Sequence, residues 1–296
     1  MKTLLIGAEG QLGRALKRSL KAPFAVTAAS RTECDLADGE ALRDLLENSC
    51  PNLIVNAAAY TAVDSAETHR DDAFAVNATA PGIMAKWAEQ HGAALIHYST
   101  DYVFDGSGER PWREDDTPNP INVYGMSKLA GDRAVLSSGA SALILRTAWV
   151  YDGAGRNFLN AILRQAETRE ELRVVADQFG APTTATVLAE MTVEILQSLG
   201  EDLAAGLAAR GGCVNASTSG AVSWHGFAEA IIEEARRLNR ELAVRRIIPV
   251  SSGEFEVTAQ RPLNSRLSLD RLQSVFGIRP TDWREALVRE LKDVRE

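Results

Sequence analysis

Gly7-Ala8-Glu9-Gly10-Gln11-Leu12-Gly13 is the stretch on which the reading of the fold turns. It follows the short apolar run Thr3-Leu4-Leu5-Ile6 and leads into an amphipathic segment from Gln11 to Leu20. Strand, glycine-rich turn and helix, in that order, open a dinucleotide-binding βαβ unit. The chemistry belongs to the backbone. Glycine carries no Cβ, so amide N–H groups at a helix start can close on a pyrophosphate whose charge the helix dipole favours. The G-x-x-G-x-x-G spacing marks Gly7, Gly10, Gln11, Leu12 and Gly13 as candidate cofactor residues. A plain helix-start turn is the alternative at this point.

The same rhythm continues outward from the loop. Phe24–Ala29, Leu53–Val55, Ala94–Ile96 and Ala142–Leu145 read as short buried strands, with Asp71–Gln90 a long helix among them. The expectation is an α/β fold: a Rossmann-type doubly wound parallel sheet covered by helices on both faces. Gly106–Asn122, rich in Pro, Gly, Asp and Asn, is expected to be a long surface loop. Beyond about Val150 the pattern loosens into helical stretches at Asn157–Glu167, Val187–Leu199, Trp224–Asn239 and Asp282–Lys292. Residues 1–150 are therefore expected to form the dinucleotide-binding domain, and 151–296 mainly a smaller α/β substrate-binding lobe. Segments at about 173–200 and 240–260 are expected to return to the first domain.

Composition narrows the function classes. The 296 residues are 45% hydrophobic and 24% charged, enough for an ordinary core. Forty acidic side chains against thirty-two basic ones leave a charge of -8, which argues against nucleic acid and against an anionic membrane as partner. No apolar run reaches the roughly 18 residues of a membrane span. The N-terminal apolar run stops too early for a signal peptide. Cys34, Cys50 and Cys213 are widely spaced with no C-x-x-C, so a reducing cytoplasmic setting is expected, with neither a disulfide framework nor a zinc site. His69, His91 and His225 are scattered without ligand spacing, and His97 sits on a strand; all four read as core or surface residues.

Two further stretches carry chemistry. The second strand ends Ala28-Ala29-Ser30-Arg31, offering a hydroxyl and a cation where an adenosine ribose would lie, which favours NADP(H). Glu33 or Asp35 could instead serve NAD(H). Tyr124-Gly125-Met126-Ser127-Lys128 is a Y-x-x-x-K, which puts phenol and ammonium on one helix face. A cation beside a tyrosine lowers its pKa and makes it a usable acid–base group. His97-Tyr98-Ser99-Thr100-Asp101 closes a buried strand, and a hydroxyl there would face the Tyr124 phenol. Val55 to Thr61 supplies small residues along which a cofactor could pass.

This set resembles the extended short-chain dehydrogenase/reductase family. Five separated motifs resemble, more narrowly, its dTDP-4-dehydrorhamnose reductase members. They are Ser99–Gly106, Asn122–Gly125, Arg146–Tyr151, Asp177–Thr183 and Arg261–Leu267. The resemblance covers essentially the whole chain. It implies NADPH-dependent reduction, with NADH as the alternative coenzyme, of the C4 keto group of a dTDP-sugar, the last step in forming dTDP-β-L-rhamnose. It implies Thr100, Tyr124 and Lys128 as the catalytic residues. It also implies Asp35 and Leu36 beside the adenine, Ala59, Tyr60 and Thr61 along the cofactor, and Tyr98 near the nicotinamide. Thr100, Asp101 and Trp149 are the implied substrate contacts. Arg261 suits a substrate pyrophosphate, with an inter-lobe ion pair as its alternative. Some members are homodimers that hold Mg2+ through glutamates, one of them where Ala15 stands here; Glu190 and Glu290 remain, so the metal set is incomplete. A dehydratase of the same fold would carry an acid where Tyr102 follows Asp101, and a regulatory, non-catalytic relative would lack the Tyr/Lys pair.

Overall fold

The structure is a computed structural model that describes residues 1–293. Its first half runs β1 (Lys2–Ile6), α1 (Gln11–Ser19), β2 (Ala25–Ala29), α2 (Gly39–Ser49), β3 (Leu53–Asn56), α3 (Ala80–His91), β4 (Ala94–Thr100), α4 (Val123–Leu136) and β5 (Ser141–Thr147). The second half adds α5 (Phe158–Ala166), β6 (Glu171–Val175), α6 (Ala185–Ser198), α7 (Leu203–Arg210) and β7 (Gly212–Asn215). It continues with α8 (Trp224–Arg237), β8 (Arg246–Val250), α9 (Asp270–Phe276) and α10 (Trp283–Asp293). Six strands form one parallel sheet in the order β7-β5-β4-β3-β1-β2. The direction of winding reverses between β1 and β3, the point at which open α/β sheets bind ligands. The fold is the expected Rossmann-type doubly wound sheet.

Two-residue periodicity explains why both faces are covered. Leu5, Val55, Ile96 and Leu145 point to the side packed by Leu12 and Leu16 of α1, Leu188 and Ile195 of α6, Leu207 of α7 and Leu272 of α9. Leu4, Ile6, Ile54, Leu95 and Ile144 point to the other side, against Leu42 and Leu46 of α2, Met84 and Trp87 of α3 and Val135 of α4. All seven residues of β4 are buried, as befits a central parallel strand.

The long helix expected at Asp71–Gln90 is interrupted. Arg70–Phe74 is α-helical, Ala75–Thr79 widens into a π-turn, and α3 follows. α4 crosses this turn closely: a Cβ on Gly131 would collide with the Asn77 carbonyl oxygen. Such π-turns recur at functional sites.

In the smaller lobe β6 pairs in parallel with β8, from Glu171 beside Arg246 to Val175 beside Val250. Leu172 and Val174 pack there with Leu163 of α5, Phe227 and Ile231 of α8, and Leu287 of α10. The expectation that residues 240–260 return to the first domain is thereby corrected for β8 and the residues before it, whereas Ala259 N–H donates to Asp64 and the Gln260 carbonyl accepts from Asn122. Val244 and Ile247 find their apolar neighbours in the small lobe, which holds β8. α6, by contrast, lies on α1, and α7 and β7 complete the large sheet's far edge. The segment from Ala259 to Ser268 stitches the surface loop down: Trp112 N–H donates to the Arg266 carbonyl, the Trp112 carbonyl accepts from Ser268 N–H, and Asn264 donates to the Arg110 carbonyl. Among the described residues no helix is long and apolar enough to cross a membrane.

Candidate active site

The glycine loop lies where β1 ends, with the N–H groups of Gly7 and Ala8 both held by the Ala29 carbonyl at the end of β2. Gly7 has φ +80°, and a Cβ there would sit 2.6 Å from the Ala58 nitrogen. A Cβ on Gly13 would collide with the Gly7 carbonyl oxygen. α1 starts at Gly10 with no side chain capping it and no acidic residue in its first turn. The first N–H groups of α1 and its dipole form a seat that fits a pyrophosphate. The Gln11 side chain, however, turns to the other lobe and accepts from Asp152 N–H and Asn157 Nδ2. Leu12 is core. Arg14, unmarked by the sequence reading, reaches Asp152 at 2.6 Å and ties the loop to the small lobe.

The catalytic candidates converge at the carboxyl end of β4. Asn122 caps α4, its side chain accepting from Gly125 N–H at 2.8 Å, and so sets the first turn that carries Tyr124. The Tyr124 phenol lies beside Thr100, whose hydroxyl pulls the phenol's pKa down. Thr100 in turn donates to Asp101 Oδ1 at 3.1 Å and accepts from Tyr102 N–H. Desolvation raises the Tyr124 pKa above that of a free phenol, with nearby Asp101 and Asp132 adding to the rise. The lowering expected from Lys128 is therefore corrected: Lys128 Nζ is directed at the Tyr98 carbonyl, 2.6 Å away, instead of at the phenol. Asp101 is buried, its Oδ2 has no partner, and burial pushes its carboxyl up to about 7.

Lys128 is 1% exposed, and burial brings its amine down to about 8 against the opposing pull of Asp132. Asp132 is itself buried in a pair with Arg146 at 3.2 Å. Tyr98 departs from its expected place near the nicotinamide in one respect: its ring lies in the core and its hydroxyl meets Thr192 Oγ1 at 2.7 Å, leaving only its carbonyl toward Lys128. Asn77 was missed by the sequence reading. From the π-turn it accepts from Tyr60 N–H at 2.8 Å and donates both to the Tyr60 carbonyl and to Ser127 Oγ, so it fixes Ala59-Tyr60-Thr61 against α4. Nothing in residue type or spacing distinguishes this asparagine from a helix-surface one.

The outer positions are more open. Ser30 Oγ meets Thr32 Oγ1, and Ser30 N–H donates to Glu33, which lowers the Glu33 pKa. Arg31 reaches Asp35 at 3.5 Å from a side chain that is 87% exposed. Leu36 is buried under α2 and α3. On the far side Trp149 adopts φ +50°, a conformation rare outside glycine. Its ring stacks on Trp224 at 3.5 Å and lies against Gly180, where a Cβ would come within 2.6 Å of it. Arg261 makes a two-pronged pair with Asp64, at 2.5 and 3.1 Å, so the inter-lobe ion pair is what this geometry contains. Glu190 pairs with Arg289, and Glu290 accepts from Gly153 N–H and Thr186.

The family model described as the RmlD substrate binding domain matches residues 1–296. A dTDP-4-dehydrorhamnose reductase of Burkholderia thailandensis is 44% identical over 296 residues, covering 99% of both chains. One from Escherichia coli strain K12 is 41% identical over 300 residues, covering 99% of this chain and 98% of its own. Among solved structures, a dTDP-4-dehydrorhamnose reductase of Clostridium acetobutylicum matches with a TM-score of 0.91 at 33% identity, covering 100% of both chains. The Bacillus anthracis enzyme, in complex with NADP, matches at 0.89 and 32% identity over 99% of both chains.

Proposed function

The chain belongs to the RmlD substrate binding domain family, and from that premise we propose that it is an NAD(P)H-dependent oxidoreductase acting on a dTDP-sugar. Its reaction is reduction of the C4 keto group of dTDP-4-dehydro-β-L-rhamnose to dTDP-β-L-rhamnose. One observation carries this reading: the Tyr124 phenol beside Thr100, with Lys128 one turn on, stands at the strand ends beside an uncapped glycine loop.

When bound, the reduced coenzyme supplies the hydride that C4 accepts. Everything else falls to the chain. The N–H groups of Gln11 to Gly13, next to Gly10, hold the pyrophosphate, Ser30 and Arg31 meet a 2′-phosphate, and Asp35 and Leu36 lie by the adenine. Ala59, Tyr60 and Thr61 form a wall kept in place by Asn77. Lys128, fixed by the Tyr98 carbonyl, meets the ribose of the nicotinamide half. Thr100 turns its hydroxyl from Asp101 to the carbonyl oxygen and donates to it as negative charge gathers there. Tyr124, kept protonated at neutral pH by its surroundings, gives its proton to the alkoxide, so hydride plus proton complete the new alcohol. Asp101 and Trp149 contact the sugar nucleotide, and Arg261 reaches the pyrophosphate only if its pair with Asp64 opens. Residues 1–150 with α6, α7 and β7 serve the coenzyme, and the small lobe serves the sugar nucleotide. All these groups belong to one chain, so a homodimer is compatible with the mechanism and not required by it. The three cysteines are unbridged, in keeping with a cytoplasmic setting.

The test is a panel of nucleotide-linked 4-keto sugars, each incubated with the purified protein and NADPH or NADH. Loss of reduced-coenzyme absorbance with the dTDP-linked substrate, and a product of rhamnose configuration at C4, is the expected result. Silence across the whole panel would remove the proposal.

A further inference from the structure

His97 is fully buried on β4, on the sheet face covered by α4, and the mechanism above makes no use of it. Both of its ring nitrogens are engaged: Nδ1 is 3.1 Å from Asn56 Nδ2, and Nε2 is 3.3 Å from Lys128 Nζ. The orientation of Asn56 is set from its other side, because its Oδ1 accepts from Ala58 N–H at 3.2 Å. Turned over, the amide would set two N–H groups against each other. Asn56 therefore presents an N–H to Nδ1, and Nδ1 must accept. A neutral imidazole that accepts at Nδ1 carries its proton on Nε2. That proton points at Lys128.

Lys128 already donates to the Tyr98 carbonyl at 2.6 Å. An ammonium has no lone pair, so it would meet the Nε2–H donor to donor; an uncharged amine can accept from it. The run from Ala58 N–H through Asn56, His97 and Lys128 to the Tyr98 carbonyl has one donor for every acceptor only in the second case. The other charged or titratable groups around Lys128 are Tyr124 one turn earlier and Asp132 one turn later on α4. Asp132 favours the ammonium, though the buried Arg146 of β5 engages one of its oxygens, Oδ2. Burial holds the imidazole itself in its neutral form.

We propose that His97 is a positioning residue that seats Lys128 and disfavours its charge, with His97 in the Nε2–H tautomer, so that in the coenzyme-free protein Lys128 gives up its proton at mildly alkaline pH and then accepts from His97 as an amine. The inference concerns the lysine named in the functional reading, yet its test needs neither substrate nor turnover.

The experiment is 15N NMR of the uniformly labelled coenzyme-free protein across pH 6–10. The ring signals of His97 are assigned with His97→Gln, and the Nζ signal of Lys128 with Lys128→Arg. An Nε2–H pattern for His97, with Lys128 losing its ammonium signature by mild alkaline pH, is expected. In His97→Gln the carboxamide oxygen accepts from an ammonium, so the Lys128 midpoint rises by about one unit, the equivalent of one hydrogen bond. An Nδ1–H pattern in the wild type, or a midpoint that the substitution leaves in place, overturns the proposal. Should His97→Gln fail to fold, the wild-type tautomer decides. A protein with the expected spectra that oxidises no coenzyme would sink the functional reading and leave this one standing.

Discussion

At the catalytic end of the coenzyme groove, Asn56, His97, Thr100 and Lys128 are each less than a tenth exposed, and each is bonded to a neighbour from a different stretch of chain or from its own strand end. Beyond β2, at the adenosine end, Arg31 extends into solvent with 87% of its side chain exposed and touches only Asp35 at 3.5 Å. The contrast separates two ways of recognising one cofactor. Buried polar groups are held by several partners at once, and in a low-dielectric setting each lost bond is costly. An exposed guanidinium works through hydrated, salt-screened attraction and can be removed with little structural consequence. In the proposed reading, chemistry sits on the first kind of ground and coenzyme preference on the second.

Substitutions can break or sharpen this contrast. The largest effect is expected from Tyr124→Phe, which keeps the ring and removes the proton. Its kcat should fall by about 10²–10⁴-fold, with melting temperature and coenzyme affinity near wild type. Near-normal turnover would show that the buried end does not carry the chemistry. Next is Trp149→Ala, which removes an indole stacked on Trp224. It should weaken the sugar nucleotide and spare NADPH, and loss of the stack should lower stability by about 3 kcal/mol. A fall in melting temperature with unchanged substrate KM would make Trp149 purely structural.

A gentler effect concerns Asp101, whose folded-state pKa is raised by burial from 3.8 to about 7. Between those values the folded protein binds the proton that the unfolded chain releases, so this group's contribution to stability is lost as pH rises through that window. Melting temperature measured from pH 4 to 7 should show this decline, and Asp101→Asn should flatten it; an unchanged slope would mean that Asp101 ionises freely. The smallest effect is expected at the exposed end. Arg31→Ala should lower kcat/KM for NADPH by only a few-fold, the scale of an exposed ion pair, and leave NADH almost untouched. Raising salt should shrink the difference in the same direction. Equal losses with both coenzymes would shift the assignment to Glu33 or Asp35.

The parts that were legible before the structure are those encoded locally. The strand–glycine–helix junction, the Y-x-x-x-K spacing and the two-residue alternation of β1, β3, β4 and β5 each occupy a handful of neighbouring residues. Asn77 was invisible because its value comes from three partners, at Tyr60 and Ser127, that the chain brings to it from far away. Gln11 was assigned by position to the phosphate loop, but its side chain answers to Asp152 and Asn157 across the cleft. The same reasoning misplaced the strand within residues 240–260, since a short apolar strand reads alike whichever sheet receives it.

Sequence by itself therefore determined the sheet, its covered faces, the glycine seat and the Tyr124–Lys128 pair, because periodicity and i,i+4 spacing are properties of a single segment, while Thr100 rather than Ser99 rested on the family resemblance. Tertiary structure decided what those side chains are bonded to. It turned Lys128 from the phenol to the Tyr98 carbonyl and His97, raised the Tyr124 pKa instead of lowering it, and closed Arg261 on Asp64. Protonation and pairing depend on distance and burial, and both arise only when β3, β4, α4 and the C-terminal segment are folded against one another.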